Sequence, residues 1–521
     1  MKKIISIICV LVICVCSTIT LIACSTRCTV SYDLRGGVNN ELNIKKLYKG
    51  KSFALQEPTK YAYNFEGWYS DAEYQNKITT ISYNENGIKL YAKWSLDEDC
   101  YGNLPVIEIK TQTGELPKTK TDYVNCSFKM FNTSNAEYDF AVDMKENYGD
   151  KDSVGIRLRG NSTQSMPKKP FRIKFDKKKS ILGMTPNKSW VLLADYIDVS
   201  SIRNFATFTI GKSIADADDF VPSANHVVVI VNEQYQGLYL LTDQVDENDG
   251  RTNVEPEEDI SPTSKEFPFL IEMDQNASSE GVTGIDNFYL DGHYFPIEIK
   301  YPEYEDRNIP SGAEDVVFNY IKEYMNAVFT TLKTGGSVNV SFRDNPVFFE
   351  DLVDVDSYLE YVLINELMCN RDNLWKSIYF YKSSDGLLHF GPLWDFDWSC
   401  GPGWNDSLPI TESPLAYTNE FQNIPVSWSL NRPYLRNAEN YAKFVNKWNE
   451  ISSKIDNVDK LLGEHYYLIK TPATYDGKLW YKNGEIFETQ YSLIRIYIQD
   501  KASFMDNAFK LSYEEFVETY L

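Results

Sequence analysis

The sequence holds nine cysteines but no C-x-x-C pair, so it encodes neither a thiolate zinc site nor a closely stapled disulfide scaffold. It also lacks positive charge: 52 Lys and Arg stand against 74 Asp and Glu, a formal net charge of −22. That balance argues against binding nucleic-acid backbones and against an electrostatic hold on anionic lipid. No long segment occurs twice, which excludes a solenoid. What is present is the make-up of a folded protein, 43% hydrophobic and 24% charged. At 521 residues it is too long for one ordinary core, and two or three domains are expected. The 36 Tyr and 10 Trp could serve cores, protein interfaces or sugar stacking, and composition does not separate these.

The N-terminus reads as a targeting segment. Lys2-Lys3 precede an apolar run from Ile4 to Ile22, and Leu21-Ile22-Ala23-Cys24 follows the pattern of a small residue before a cut. The L-I-A-C ending resembles a bacterial lipobox. The resemblance implies residues 1–23 as a lipoprotein signal peptide, Cys24 as the lipidated first residue and 24–27 as a tether. An uncleaved anchor is the alternative, and both place the body outside the cytoplasm. Loss of Lys2 and Lys3 moves the net charge from −22 to −24, and the lipid supplies membrane affinity that the acidic body lacks. Five cysteines then remain: 28, 100, 126, 369 and 400. Cys369 and Cys400 bracket an acidic stretch where one disulfide is conceivable, with free buried thiols the favoured state.

Residues 28–95 form a small β-rich module, with short alternating strands and Gly turns. Phe65-Glu-Gly-Trp-Tyr69 and Leu90-Tyr-Ala-Lys-Trp94 resemble the signatures of the internalin B-type (Listeria–Bacteroides) repeat. The resemblance implies a β-grasp-like spacer or adhesion module on a bacterial surface protein, and a spacer is the plainer role. Residues 96–103 are a polar linker. Strand patterns follow from Leu104 to about residue 175, with a strand pair over 226–245. Later stretches are helical: one after the capping-box pattern Ser311-Gly-Ala-Glu314, one capped by Asp354 or Asp356 and ending near Met368, and others near 437–456 and 486–509.

Three elements carry chemistry. Asp372, in Asn370-Arg-Asp-Asn373, falls in a polar loop beyond a helix, where a carboxylate can orient a hydroxyl and take its proton; alone it is equally a loop-structuring Asp. Two apolar runs joined at Ser384-Asp385-Gly386 form a hairpin signal, and Trp394-Asp-Phe-Asp-Trp398 follows. If that segment is extended, Asp395 and Asp397 share a face, suited to Mg²⁺ or Mn²⁺; otherwise they are exposed acids on an edge strand. Gly155-Ile-Arg-Leu-Arg-Gly-Asn-Ser-Thr163 leads through Pro167-Lys-Lys-Pro170 to Phe171-Arg-Ile-Lys-Phe175. This donor-rich turn and basic strand suit phosphates, or simply balance an acidic body; they are not a Walker A motif or a G-x-G-x-x-G loop.

These pieces occur in order with Trp190-Val-Leu-Leu-Ala-Asp195, Ser201-Ile-Arg-Asn204, Gly237-Leu-Tyr-Leu-Leu-Thr242, Ile271-Glu-Met-Asp274 and Ile299-Lys-Tyr-Pro302. Together, residues 104–515 resemble the spore-coat protein H (CotH) kinase family. The resemblance implies an α+β, atypical protein-kinase-like domain: a β-rich nucleotide part and a helical part. It implies Asp372 in the catalytic role, Asp395 and Asp397 toward the metal, and ATP with Mg²⁺ as cofactors. Arg157, Arg159, Asn161, Lys169 and Lys174 are the candidates for the nucleotide, without a ranking. The implied activity is transfer of a γ-phosphoryl group to hydroxyls of surface proteins, so the expected partners are nucleotide, protein substrate and membrane, with no nucleic acid. Gln164 departs from the family where an aromatic is common. Asp243 departs where Glu is usual, which puts a lysine–glutamate pairing in doubt. A non-catalytic adhesion or scaffold protein is the alternative, since nucleotide is scarce outside a cell. A carboxylate-pair glycosidase is weaker, because acids two apart on one strand are not its usual source.

Overall fold

The computed structural model describes residues 27–216, 219–254, 265–292, 296–307, 309, 314–370, 376–384, 386–400 and 431–521. The chain divides into two compact units. One closes at Gly102 and takes in Ile230–Gln236; the other comprises Asn103–Val229 and Gly237–Leu521. Both strands and helices are present, an α+β chain, and its N-terminal module is β-rich. Among the described residues no helix is long and apolar enough to cross a membrane.

The module contains β1 (Arg27–Asp33), β2 (Lys46–Tyr48), β3 (Ser52–Ala54), β4 (Tyr63–Tyr69), β5 (Lys77–Ile78), β6 (Thr80–Ser82) and β7 (Ile88–Leu96). Five of these form a sheet in the order β2-β1-β7-β4-β5, with β1 parallel to β7. Its signature residues make the core rather than a binding face. Trp68 is 2% exposed and Leu90 and Ala92 are fully buried. Phe65 packs on both Trp68 and Trp94, with ring centres 5.5 and 5.3 Å apart. The two indole N–H groups donate to Gln56 O and Leu34 O at 2.9 Å, so no polar handle is stranded. Gly67 is required: its φ is +144°, and a Cβ there would lie 2.3 Å from Lys77 Cε.

The larger unit contains β8 (Val106–Thr111), β9 (Val124–Phe131), β10 (Phe140–Val142), β11 (Val154–Leu158), β12 (Phe171–Lys179) and β13 (Asn187–Leu193). After these come α1 (Arg203–Ile214), β14 (Ala224–Val231) and β15 (Gln234–Asp243). The sheet order is β10-β9-β11-β12-β13-β15-β14-β8, and β8 also pairs with β9, so seven strands close on themselves. Closure removes free edges and leaves an interior to fill. Phe171, Ile173 and Phe175 of β12 fill it, alternating with half-buried Arg172 and Lys174 as the period of two requires. The β14–β15 turn runs through Asn232 and Glu233, both at positive φ, the conformation of a tight hairpin.

A second sheet is built from β16 (Phe269–Met273), β17 (Asn287–Tyr289), β18 (Pro296–Tyr301), β19 (Ile378–Lys382) and β20 (His389–Phe390), in the order β17-β18-β16-β19-β20. The expected hairpin is therefore present as β19–β20, with Tyr381 opposite His389. The longer helices after α1 are α2 (Val316–Thr334), α3 (Val355–Met368), α4 (Ala438–Trp480), α5 (Ile486–Ala508) and α6 (Tyr513–Tyr520). Helix α3 is buried on every side from Ser357 to Met368, a core helix rather than an amphipathic one. Asp354 caps it by accepting from Ser357 N at 2.8 Å. The cap of α2 differs from the expected box at 311–314: Asp315 accepts from Phe318 N at 2.9 Å and ion-pairs with buried Arg307. Helix α4 also runs well past residue 456, continuing through Pro472 to Trp480.

Candidate functional site

The second sheet supplies one wall of the site. Glu272 on β16 stands opposite Glu298 on β18 and opposite Tyr379 on β19. Two carboxylates directly across a ladder repel. Lys300, two residues along from Glu298 and so on the same face, resolves this by contacting Glu272 at 2.9 Å and Glu298 at 2.7 Å. Burial opposes the charge on Lys300, but the two glutamates outweigh it and raise its pKa. Just past β16, Asp274 accepts from Asn276 N at 2.6 Å; burial, then Glu272, push its carboxyl up to about 6.

The turn after β11 supplies the opposite wall. Gly160 has φ +78°, and a Cβ there would meet Thr163 Oγ1 at 2.1 Å, so the turn needs glycine. Asn161 accepts from Lys120 Nζ at 2.6 Å. Arg159 lies over the Trp394 ring, 5.5 Å from its centre. Burial weakens its charge, and Asp395, then Tyr379 and Asp397, favour it. Lys168 enters from the Pro167–Pro170 segment and is wholly buried. Its ammonium contacts Asp476 Oδ1 at 2.8 Å, donates to Leu238 O and lies 4.7 Å from the centre of the Tyr239 ring. Asp476, near the end of α4, also accepts from Leu238 N at 2.9 Å. Thus the buried lysine pairs with an aspartate from a distant helix, and Asp243 pairs instead with Arg251 at 3.1 Å.

The Trp394–Trp398 segment is not the extended strand that the alternation predicts. No strand is formed there, and Asp395 has φ +62°. Side-chain ties to α1 hold it instead. Asn204 Oδ1 accepts from Phe396 N at 2.8 Å, and Arg203 Nε donates to Ser399 O at 2.6 Å. Arg203 is itself fixed by Asp198, which also accepts from Ser200. Ser377 Oγ donates to Asp395 Oδ2 at 3.0 Å. Asp195, after β13, completes this side; burial, then Asp198, push its carboxyl up to about 8 against the pull of Lys168 and Asn204.

These parts enclose a polar cavity of about 470 Å³. Four of the residues singled out from sequence line it: Arg159, Asn161, Asp395 and Asp397. Three do not. Arg157 donates to Lys120 O and lies over Tyr123, Lys169 donates to Gln164 O at 2.9 Å, and Lys174 stands half-buried on β12. Asp372 and Cys24 lie outside the described residues, although Lys376 and Ser377, shortly after Asp372, line the cavity. Sequence reasoning did not select Lys168, Asp195, Glu272, Asp274 or Lys300 as site residues. The signal for Lys168 was the K-K pair between two prolines, but strand parity cannot be carried back through Pro170 to choose between the lysines. The acids and Lys300 sat in recognised motifs without an assigned role.

The donor set fits a hard cation. Mg²⁺ is usually held by one or two carboxylates with water and phosphate oxygens, a demand that Asp395 and Asp397 can meet. Among the described residues, no three His, Cys, Asp or Glu side chains gather to enclose a metal by themselves. Arg159 and Lys168 on the facing wall suit phosphate oxygens. The cavity volume lies within the range of small-molecule sites.

Comparison with known families gives two matches. The CotH kinase protein model matches residues 156–505, and the Listeria-Bacteroides repeat domain model matches residues 29–93. No curated protein matches the chain. The first match spans both cavity walls, from the strand before Arg159 to α5, and the second covers the aromatic core of the module; the chain belongs to the CotH kinase family and carries one N-terminal Listeria-Bacteroides repeat.

Proposed function

We propose that the chain is a surface-anchored atypical kinase that transfers the γ-phosphoryl group of ATP to hydroxyls of extracytoplasmic proteins. The observation that carries this reading is the single cavity lined by Arg159, Lys168, Asp395 and Asp397, in a chain of the CotH kinase family. Phosphoryl transfer asks little covalent chemistry of a protein; it needs positioning and charge neutralisation. Mg²⁺, where bound, would supply electrostatic neutralisation of the phosphate charge. Asp395 and Asp397 would hold it. Arg159 and Lys168 would neutralise the phosphates, and Asn161 would present its amide to them. Asn204 and Arg203 keep the two metal-facing acids in place from α1. Asp372 would orient the acceptor hydroxyl and take its proton. The lipobox-like Cys24 supports anchoring through lipid, and the repeat suits a surface location.

The test is nucleotide turnover by the full-length protein with Mg²⁺, alongside Asp372→Ala and Asp395→Asn. Turnover should be lost on chelation and in both variants; unchanged turnover in Asp372→Ala overturns the catalytic assignment. The repeat also favours a second reading, a kinase-like scaffold or adhesion protein without turnover. Absence of Mg²⁺-dependent nucleotide binding by calorimetry, together with binding to a glycan or protein ligand, would select it.

A further inference from the structure

We propose that Cys369 and Cys400 are a disulfide-forming pair that ties the end of α3 to the end of the segment carrying Asp395 and Asp397. Cys369 is the C-cap of α3, with φ +50°. Cys400 N donates to Met368 O at 2.5 Å, across the peptide that joins Met368 to Cys369. With standard backbone lengths, that contact limits the Cα–Cα separation to about 6.8 Å, the upper edge of the range a disulfide spans. The thiols also share surroundings. Tyr497 lies within electrostatic reach of both Cys369 and Cys400, and Cys400 Sγ sits 3.7 Å from Met368 Sδ. The other described cysteines are placed otherwise. Cys28 and Cys100 belong to the other unit, and Cys126 donates to Val154 O on the next strand at 3.5 Å.

All five thiols are free and buried in this structure. Cys369, at 9% exposure, is more open than Cys400 at 1%, so it is the entry point for an oxidant. Its thiolate attacks a small-molecule disulfide, forming a mixed disulfide and releasing one thiol. Cys400 gives up its proton and attacks the Cys369 sulfur, releasing the second thiol. The protein loses two hydrogens, and the oxidant is reduced to two thiols. The extracytoplasmic setting read from the N-terminus is where such oxidants persist. The bond would close the loop that carries Asp395 and Asp397, narrowing the freedom of both acids relative to α3. That consequence rests on the phosphotransfer reading; the bond itself does not.

The experiment exposes reduced full-length protein to oxidised glutathione, quenches it in acid and maps the unreduced digest by mass spectrometry. A parallel sample is refolded from denaturant in the same buffer, and Cys369→Ser and Cys400→Ser are treated alongside. A Cys369–Cys400 cross-linked peptide in either wild-type sample, with a melting temperature higher by about 5 °C that neither variant reproduces, supports the pair. Both thiols unlinked in both samples, glutathione retained on Cys369, or pairing with any other cysteine overturns it. Neither readout uses nucleotide, so a failed kinase assay and a failed cross-link are distinct results.

Discussion

Lys168→Met is the most demanding test of the site. Lys168 is fully buried, and its ammonium is bonded to Asp476 at 2.8 Å and to the Leu238 carbonyl. Met keeps the stem and removes the charge. Asp476 is then left in the interior, accepting from the Leu238 N–H at 2.9 Å. Removing one partner of a buried ion pair costs about 3–5 kcal/mol at neutral pH. The pH dependence has a definite sign. Burial already raises the Asp476 pKa, and Lys168 is the largest influence holding it down, so its loss raises the value further. A carboxyl with a folded pKa above its unfolded value favours the native state while protonated, and that advantage is lost as pH rises toward the folded value. Lys168→Met should therefore be penalised more at pH 8 than at pH 5. Lys168→Met/Asp476→Asn, with no buried charge left, should recover roughly half of the loss. Urea unfolding followed by tryptophan fluorescence at both pH values measures all three proteins. A loss below about 1 kcal/mol at pH 8, equal losses at both pH values, or a double variant no better than the single would refute the reasoning.

Three further outcomes follow from the same geometry. Asp195 has its pKa raised to about 8 by burial and Asp198, so ionising it weakens the fold as pH climbs from the unfolded carboxylate range toward 8. Asp195→Asn should flatten that stretch of the stability profile in a pH series of urea titrations, and an unchanged slope would count against it. Asn204→Ala strands the Phe396 N–H and should cost about 1–3 kcal/mol while weakening Mg²⁺–nucleotide binding by calorimetry more than metal-free nucleotide binding. In the module, Trp68→Ala should cost about 3–5 kcal/mol, read as lost circular dichroism of the isolated thermal transition, because the ring is 2% exposed and its N–H is bonded.

Much of this protein was legible without coordinates. The hairpin β19–β20, the capping of α3 by Asp354 and the α3 end at Met368 follow from local chemistry: turn residues, a side-chain acceptor and the loss of apolar continuity. The aromatic signatures of the repeat likewise marked the β-rich module, and the structure packs them in and against its core. Local signals failed where a distant partner decides. The helical stretch expected near 437–456 extends as α4 through Pro472 to Trp480, and its last turns are held where Asp476 meets Lys168 and the Leu238 N–H. The W-D-F-D alternation suggests a strand, yet the segment forms none, because Asn204 and Arg203 of α1 take its backbone groups instead.

The sequence by itself determined the inventory: an acidic, two-part α+β chain, the family motifs and their order, and which residue types could meet a phosphate and a cation. Tertiary structure decided which of them meet. Closure of the seven-stranded sheet puts Arg159 and Lys168, rather than Arg157, Lys169 or Lys174, on the cavity wall. The second sheet adds Glu272, Glu298 and Lys300, two like-charged glutamates that make sense only with the lysine bridging them across the strands. The physical reason is that burial and charge pairing are set by contacts between segments far apart in the chain, and those contacts leave no periodic trace in either segment alone.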